Sequence, residues 1–454
     1  MNIASPPVKP PVPVFTQGSI MRHVLVMTGT GAIGLVAIFI VDFFSLLYVS
    51  WLKNPALTAA VGYSTQVNFF GMSINIGLAI AITALVSRAQ GAGDRPLARR
   101  LAASCLVHVS AVAILVAAGA LIWRDEILGL LGATGFAREV AGKFLLIVLP
   151  ANVLMAIGMA CGGILRSVGD ARRAMYVTLS GGIVTAFTDP LLIFGLGFGV
   201  YGAAIATVIS RIMFTVLGLY GCVRIHNLIA RPELPKIIAD AGPMAAIAFP
   251  AILTNLASPV ANSYALRVFS QFGENAVAAN AIIERIVPVA FGVIFALSGA
   301  IGPVIGQNLG AGLYDRVKRT LSDCFVLTSC YTILCWGALA LASGLITAMF
   351  SANAETARYV QFFCHWGVLA WVFLGLLFVA NAGFNNLGYP LFSTLFNWGR
   401  ATLGTIPFVT LGAHYYGVEG GQLGLAAGAM IFSLASVGAT FFMVGRLAKK
   451  PASA

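Results

Sequence analysis

The sequence predicts an all-α integral membrane protein of twelve transmembrane helices, arranged as two pseudo-symmetric six-helix bundles. Three observations carry this expectation. The chain is 59% hydrophobic and 9% charged, with a mean hydropathy of +0.92, whereas a soluble domain carries about 25% charged residues. Glycines, prolines and charge clusters cut it into twelve apolar stretches. The second half repeats features of the first at a nearly constant offset.

A spanning helix needs about 20 apolar residues. The twelve stretches cover 22–49, 57–87, 97–123, 139–166, 173–196, 200–225, 243–270, 276–307, 317–345, 355–385, 389–413 and 419–446. Several exceed the minimum, so the helices tilt or extend past the lipid. Residues 1–20 are polar and Pro-rich, with no apolar core or small-residue cleavage site, and read as a disordered cytoplasmic tail. An N-terminal lobe is expected over 21–226, a charged, Pro-containing cytoplasmic linker over 227–242, and a C-terminal lobe over 243–454.

The internal repeat is specific. GAG at 91–93 recurs at 310–312, an offset of 219, and each copy precedes a basic run, DRPLARR or LYDRVKR. RSVGD at 166–170 aligns with NNLGY at 385–389 at the same offset. GVYGAAIATVIS at 199–210 aligns with GVEGGQLGLAAG at 417–428, one residue short of it. Six helices per half leave both halves in one orientation, so the repeat is parallel, about an axis along the membrane normal.

With the N-terminus inside, eighteen Lys and Arg fall on the inner side and four on the outer. That bias predicts a multi-pass protein of the inner (plasma) membrane with both termini cytoplasmic. It also accounts for the net charge of +12 without a nucleic-acid partner. The seven cysteines lack metal-type spacing and read as free thiols, mostly buried in helices. The sequence contains no phosphate-binding G-x-x-x-x-G-K-[ST] run, no His/Cys cluster and no catalytic constellation, so no enzyme and no cofactor beyond a coupling ion, H+ or Na+, is expected. Two six-helix halves around a midplane cavity are the architecture of a transporter. Its partners would be small organic molecules and the bilayer, and the chain is expected to act as a monomer.

Two acids stand out. Asp42 is the single acid of GAIGLVAIFIVDFFSLLYVS (31–50), and Asp189 the single acid of SGGIVTAFTDPLLIFGLG (180–197). A carboxylate inside lipid is costly unless it faces a polar cavity or is protonated, which makes such groups functional candidates. At about 1.5 Å per residue, Asp42 lies ~30 Å along its helix from Arg22, Asp189 ~25 Å from Arg173, and Thr207 ~10 Å into a helix entering from outside. All three then share the outer half of the bilayer. Thr185 lies one turn before Asp189 on the same face. Pro190 leaves a carbonyl one turn earlier unpaired.

A polar stripe of Ser64, Asn68, Gly71 and Asn75 follows one face of the second helix, while the repeat positions Ile283, Val287, Ala290 and Ile294 are apolar. The second half offers neutral groups instead: Asn255, Ser258 and Asn262, then Asn381 and Asn385. An ion-coupling site in the N-lobe (Asp42, Asp189, Thr185, Thr207) is therefore expected, with Asp42 and Asp189 as the ligands should the ion be Na+. The Ser and Asn stripes are expected to line a substrate cleft. Each group also has a structural alternative. Helical threonines bond their own backbone, and intramembrane asparagines join helices. Arg211, Arg285 and Arg400 snorkel or pair, and Glu284 beside Arg285 is a structural charge.

Five segments in order, VDFFSLLYVSWL, VSRAQGAGD, ILRSVGD, TDPLLIFGLGFGVYGAAIATVISR and GPVIGQNLGAG, resemble the multidrug and toxic compound extrusion (MATE) transporters over about residues 20–447. No single piece is a strict motif; the match lies in their order and spacing. The resemblance implies two six-helix bundles around a central V-shaped cleft, and export of organic, often cationic and amphipathic compounds driven by inward flow of H+ or Na+. It implies that Asp42 and Asp189 form a cation-responsive N-lobe site and that Thr207 is the family's sixth-helix threonine. The sequence departs from the family pattern in three places. Thr185 stands where many members have Asn, Cys161, Gly162 and Gly163 stand where a fourth-helix Asn is usual, and 243–270 and 355–385 hold no acid beyond Glu355. The last departure resembles the prokaryotic DinF-like branch, whose site lies only in the N-lobe. Two close carboxylates in a low-dielectric site do not both ionise cheaply, so one holds a proton near neutral pH and proton arrival acts as the switch of an antiporter. The alternative is a flippase of lipid-linked oligosaccharides or related lipids from the same superfamily, for which Arg211, Arg285 and Arg400 would have to face the cavity.

Overall fold

The computed structural model describes residues 13–52, 54–350 and 352–449; the side chains of Asp42, Phe43, Leu46, Leu47, Ser50, Pro55 and Thr58 lie outside the described residues. The described residues form helices and their connections, with no strand. In chain order the helices are α1 (Ile20–Ser50), α2 (Pro55–Gly91), α3 (Arg95–Ile122), α4 (Arg124–Leu130), α5 (Gly135–Val148), α6 (Asn152–Ser167), α7 (Ala171–Pro190) and α8 (Val200–Tyr220). There follow α9 (Leu234–Phe269), α10 (Glu274–Gly310), α11 (Tyr314–Met349), α12 (Ala354–Phe362), α13 (Leu369–Leu387), α14 (Pro390–Gly399) and α15 (Ile406–Ala448). Their starts are written locally. Asn54, Asp94, Asp170 and Asn353 accept hydrogen bonds from the first-turn amides of α2, α3, α7 and α12, supplying acceptors that a helix N-terminus lacks.

Among the described residues, ten stretches are long and apolar enough to cross a bilayer, and α5 with α6, bent by 49°, adds an eleventh as a pair. The twelfth is concealed in the longest stretch, Pro390–Ala448, which runs for 59 residues. Tyr416 and Gly417 leave helical geometry, Gly417 at φ 61°. The chain doubles back at that point. A Cβ on Gly412 would collide with the Gly420 carbonyl, one on Gly424 with that of Phe408, and one on Gly428 with that of Gly404. These pairs step evenly away from the tip, as they do in two antiparallel helices whose backbones touch. Counting that hairpin as two crossings brings the number to the expected twelve.

The repeat reappears as a contact. α2 packs on α10, and α13 lies against the same end of α2. A Cβ on Gly91 would overlap the Gln307 carbonyl, and one on Gly310 would overlap the Arg88 carbonyl. Arg88 Nε donates to the Asn386 carbonyl at 2.9 Å and Gln307 Nε2 to the Ser167 carbonyl at 2.6 Å. Gly91 and Gly310, Arg88 and Gln307, and Ser167 and Asn386 are each separated by the repeat offset of 219. The two halves therefore meet at this end through an approximately two-fold, self-complementary interface.

One strap breaks the symmetry. The sequence reads 1–20 as a disordered tail. Residues 1–12 lie outside the described residues, but 13–19 are ordered and Phe15 is 2% exposed. The Phe15 amide donates to Gln307 Oε1 at 2.9 Å, and its carbonyl accepts from Arg316 Nη2 at 3.0 Å and Asn308 Nδ2 at 3.2 Å. Side-chain amides and a guanidinium on α10 and α11 thus hold this peptide, a long-range capture that local composition does not encode.

Farther along the molecule α2 crosses α9, where a Cβ on Gly77 would come within 2.7 Å of the Ile252 amide nitrogen. Beyond that crossing, away from the strap, Gln66, Phe69, Phe70 and Met72 of α2 and Val260, Asn262 and Ser263 of α9 are exposed. The two halves are joined at one end and diverge toward the other, which is the form of the expected V-shaped cleft. Of the seven cysteines, all unpaired, Cys330 is exposed and Cys335 is partly covered.

Candidate functional site

α1 and α7 run side by side in one register. A Cβ on Gly34 would touch Thr178 at 3.1 Å, Gly182 lies against Ala37 and Val41, and Ser45 meets Asp189. The small residues Gly34, Ala37 and Gly182 let the helices approach closely. Asp189 is 1% exposed, and the Ser45 hydroxyl donates to its Oδ2. Along the same register the Asp42 backbone lies about one turn from the height of Asp189; its side chain lies outside the described residues. Pro190 follows Asp189, and a π turn, Leu191–Gly195, follows Pro190. Gly202 of α8 packs on the backbone of this turn, 2.8 Å from the Ile193 nitrogen when a Cβ is placed on it. Asp189 thus stands where helical hydrogen bonding is interrupted, a frequent property of functional positions.

The two threonines are anchored to their own helices. Thr185 Oγ1 donates to the Gly181 carbonyl at 3.0 Å and Thr207 Oγ1 to the Ala203 carbonyl at 2.9 Å, each within its own helix. Ser210, not singled out in the sequence, reaches from α8 to the same Gly181 carbonyl at 2.9 Å. Both halves of the α7–α8 contact therefore converge on one carbonyl, two turns before Asp189.

The stripe on α2 faces α6. Ser64 is fully buried and donates to the Ala60 carbonyl at 2.9 Å, Asn68 donates to the Ser64 carbonyl at 2.9 Å, and Asn152 Nδ2 reaches Asn68 Oδ1 at 3.3 Å. Asn75, 4% exposed, continues the line inward.

In the second half, Asn255 Nδ2 donates to the Ala251 carbonyl at 2.8 Å, Ser258 receives Arg400 Nη2 at 3.1 Å, and Asn262 is exposed. Asn381 and Asn385, 6% and 3% exposed, are joined to α14: Asn397 Nδ2 donates to Asn381 Oδ1 at 2.8 Å and Ser393 Oγ to Asn385 Oδ1 at 3.4 Å. The structure thus brings Asp189 onto α1, ties Asn68 to α6, and gathers Asn381 and Asn385 with Ser393 and Asn397. It leaves Asn262 uncovered. The three arginines are divided among the helices. Arg285 and its neighbour Glu284 are exposed on α10, Arg211 Nη1 donates to the Val148 carbonyl at 2.8 Å, and Arg400 is buried.

Sequence reasoning passed over Ser45, Asn152, Ser210, Ser393 and Asn397. Ser45 carried a visible signal, three residues after Asp42 and so on the same face of α1. The other four depend on which helices become neighbours.

The MatE family model matches residues 32–191 and 250–411 of the chain. A FAD transporter from Shewanella oneidensis is 29% identical over 422 residues, covering 91% of this chain and 93% of that protein. The probable multidrug resistance protein YpnP of Bacillus subtilis is 21% identical, covering 93% of this chain and 95% of its own length. Among solved structures, the Vibrio cholerae MATE transporter VcmN in its bent form superposes with a TM-score of 0.90 at 22% identity, over 94% of this chain and 98% of that one.

Proposed function

The chain belongs to the MatE family of multi-pass membrane transporters, and from that premise we propose that it is a secondary efflux transporter exchanging small organic molecules for H+ or Na+. We place the coupling element at the α1–α7 crossing, with Asp189 and Asp42 as its acids, and the substrate path in the cleft between the halves. The observation that carries this is Asp189 itself, a carboxylate 1% exposed inside an apolar helix and held by a hydroxyl of the neighbouring helix. Its charge state changes what α1 gains by lying against α7, since a charged acceptor holds a hydroxyl more strongly than a neutral one. Ion arrival at this point therefore alters the α1–α7 contact, and α1 also packs on α10 of the other half. That connection gives the ion a mechanical route to the cleft. Thr185 and Thr207 act in this scheme as backbone-anchored neighbours, and the Ser and Asn groups of α2, α9 and α13 as the scaffold and wall of the cleft. The end joined by the strap is cytoplasmic in the proposed plasma-membrane orientation, as the basic bias requires.

The substrate class has two candidates. Relatives named as multidrug resistance proteins favour drug-like organic compounds, while the relative named as a FAD transporter, aligned over almost its whole length, favours a dinucleotide anion.

The test uses purified protein in sealed vesicles carrying an imposed proton or sodium gradient, with ethidium and FAD as probes. Asp189→Asn keeps the shape of the acid and removes its titration. The variant should bind a probe and fail to move it against a gradient. Wild-type pumping by Asp189→Asn at equal reconstitution would overturn the coupling role.

A further inference from the structure

Arg400 opens the π turn Arg400–Gly404 that follows α14, and it is 5% exposed. A guanidinium carries five N–H donors and a charge that proteins do not neutralise. Its only side-chain hydrogen bond among the described residues is Nη2 to Ser258 Oγ, at 3.1 Å, and its Nε is buried with no acceptor. None of the ion pairs among the described residues includes it. A buried, uncompensated charge is strongly destabilising, and two other charges in the helices are compensated. Buried Asp240 is paired with Arg100 at 3.0 Å, and half-buried Arg88 reaches two backbone carbonyls of α13.

The turn that carries Arg400 is firmly held. Thr405 Oγ1 donates to the Arg400 carbonyl at 2.9 Å, and two residues before Arg400, Trp398 Nε1 donates to the Leu253 carbonyl of α9 at 3.0 Å. The guanidinium is therefore positioned by its surroundings. It also lies at the inner end of a polar line: Asn262 is exposed, Ser258 one turn inward is half-buried, and Ser258 leads to Arg400. This line sits on α9 beyond the Gly77–Ile252 crossing, on the side where the halves diverge.

We propose that Arg400 and Ser258 form an anion-recognition site that takes the phosphate or diphosphate of an organic substrate. The proposal rests on the efflux function above and specifies its substrate class. A planar guanidinium with free donors suits a phosphate, which it binds through two parallel hydrogen bonds. The ligand supplies the negative charge that the fold omits. Ser258 shares the site as a hydroxyl that can turn its donor from solvent to the incoming anion. A substrate without an anionic group gains nothing at this position.

Flavins separate the chemistries cleanly, because FAD and riboflavin share one ring system and only FAD carries a diphosphate. Binding is measured by flavin fluorescence polarisation on the purified full chain, with ethidium as the cationic control and inorganic pyrophosphate as the competitor. Wild type should bind FAD in preference to riboflavin, and pyrophosphate should displace it. Arg400→Gln should weaken FAD binding by about tenfold or more, the loss expected for one charge-assisted contact, and leave riboflavin and ethidium unchanged. Arg400→Lys should restore part of the loss, and Ser258→Ala should weaken FAD less than Arg400→Gln does. Equal FAD affinity in Arg400→Gln, or no preference for FAD over riboflavin in wild type, would overturn the assignment. Should Arg400→Gln not fold, failure of pyrophosphate to compete in wild type overturns it equally. FAD binding without ion-driven flux of any probe counts against the efflux function and leaves the anion site standing; ion-driven ethidium flux without FAD binding does the reverse.

Discussion

Gly310→Ala should prise the two halves apart at their joined end. The added methyl would lie inside the Arg88 carbonyl, a backbone atom that cannot swing aside. For the methyl to reach an ordinary contact of about 3.5–4.0 Å, α10 and α2 must separate by more than about 1 Å. That movement stretches the neighbouring bonds, Arg88 Nε to the Asn386 carbonyl at 2.9 Å and Gln307 Nε2 to the Ser167 carbonyl at 2.6 Å. Overpacking of this kind costs about 1–3 kcal/mol, and a bias of that size moves a two-state equilibrium by about 5- to 150-fold. Gly91→Ala should act alike, since its methyl would meet the Gln307 carbonyl in the same crossing. The double variant should fall short of additive because both act on one contact. Gly299→Ala is the control: it lies on α10 with no other atom within 4 Å of its would-be Cβ. Nitroxide labels at Ala92→Cys and Ala311→Cys, both exposed, report the separation by pulsed electron resonance once the exposed Cys330 is replaced by Ser. Wild type and Gly299→Ala should give one short distance, and Gly310→Ala a longer population. An unchanged distribution in Gly310→Ala would refute closure by glycine-mediated backbone contact.

Ser45→Ala should slow ion-coupled dye efflux from vesicles by about tenfold, the equivalent of one hydrogen bond of about 1.5 kcal/mol to a charged group; an unchanged initial rate would remove Ser45 from the coupling site. At the start of α7, burial raises the Asp170 carboxyl but bonds from Arg173 and His226 outweigh it, holding the group below its ordinary 3.8. A depressed native value adds stability above the unfolded value that is lost as pH falls through the native one. Asp170→Asn should therefore lower the melting temperature at pH 7 by a few degrees and flatten its decline below about pH 4, and equal melting curves would dissolve the cluster's role. Glu233→Cys, exposed between the halves, should resist a membrane-impermeant maleimide on intact cells and react in inverted vesicles; the opposite pattern would reverse the proposed orientation.

Some of the candidate site was legible without coordinates because the bilayer makes charge conspicuous. Asp189 is isolated in an apolar run whatever its neighbours, and the structure buries it against α1. Ser45 was visible too, in the same stretch as Asp42, but a serine is not costly in lipid and attracts no notice by itself. Thr185 and Thr207 donate to carbonyls of their own helices, the local choice open to any helical threonine. Arg400 resembled Arg211 and Arg285 in sequence, three arginines in apolar surroundings. Only packing separates the buried one from the exposed one and from the one that meets a carbonyl.

The sequence by itself determined that the chain crosses a membrane, that it does so in two parallel halves, and where its isolated acids lie. These properties follow from composition and periodicity, which act on each segment before any tertiary contact forms. Tertiary structure alone decided which carbonyls Arg88 and Gln307 capture, that Pro13–Ser19 leave the tail so that Phe15 packs among α1, α7 and α10, and how closely the two arms of the hairpin, read in the sequence as 389–413 and 419–446, approach each other. The first and last of these turn on backbone approach at Gly91, Gly310 and the glycines from 412 to 428. A glycine announces that close approach is allowed, and the partner that approaches is chosen only when the helices pack.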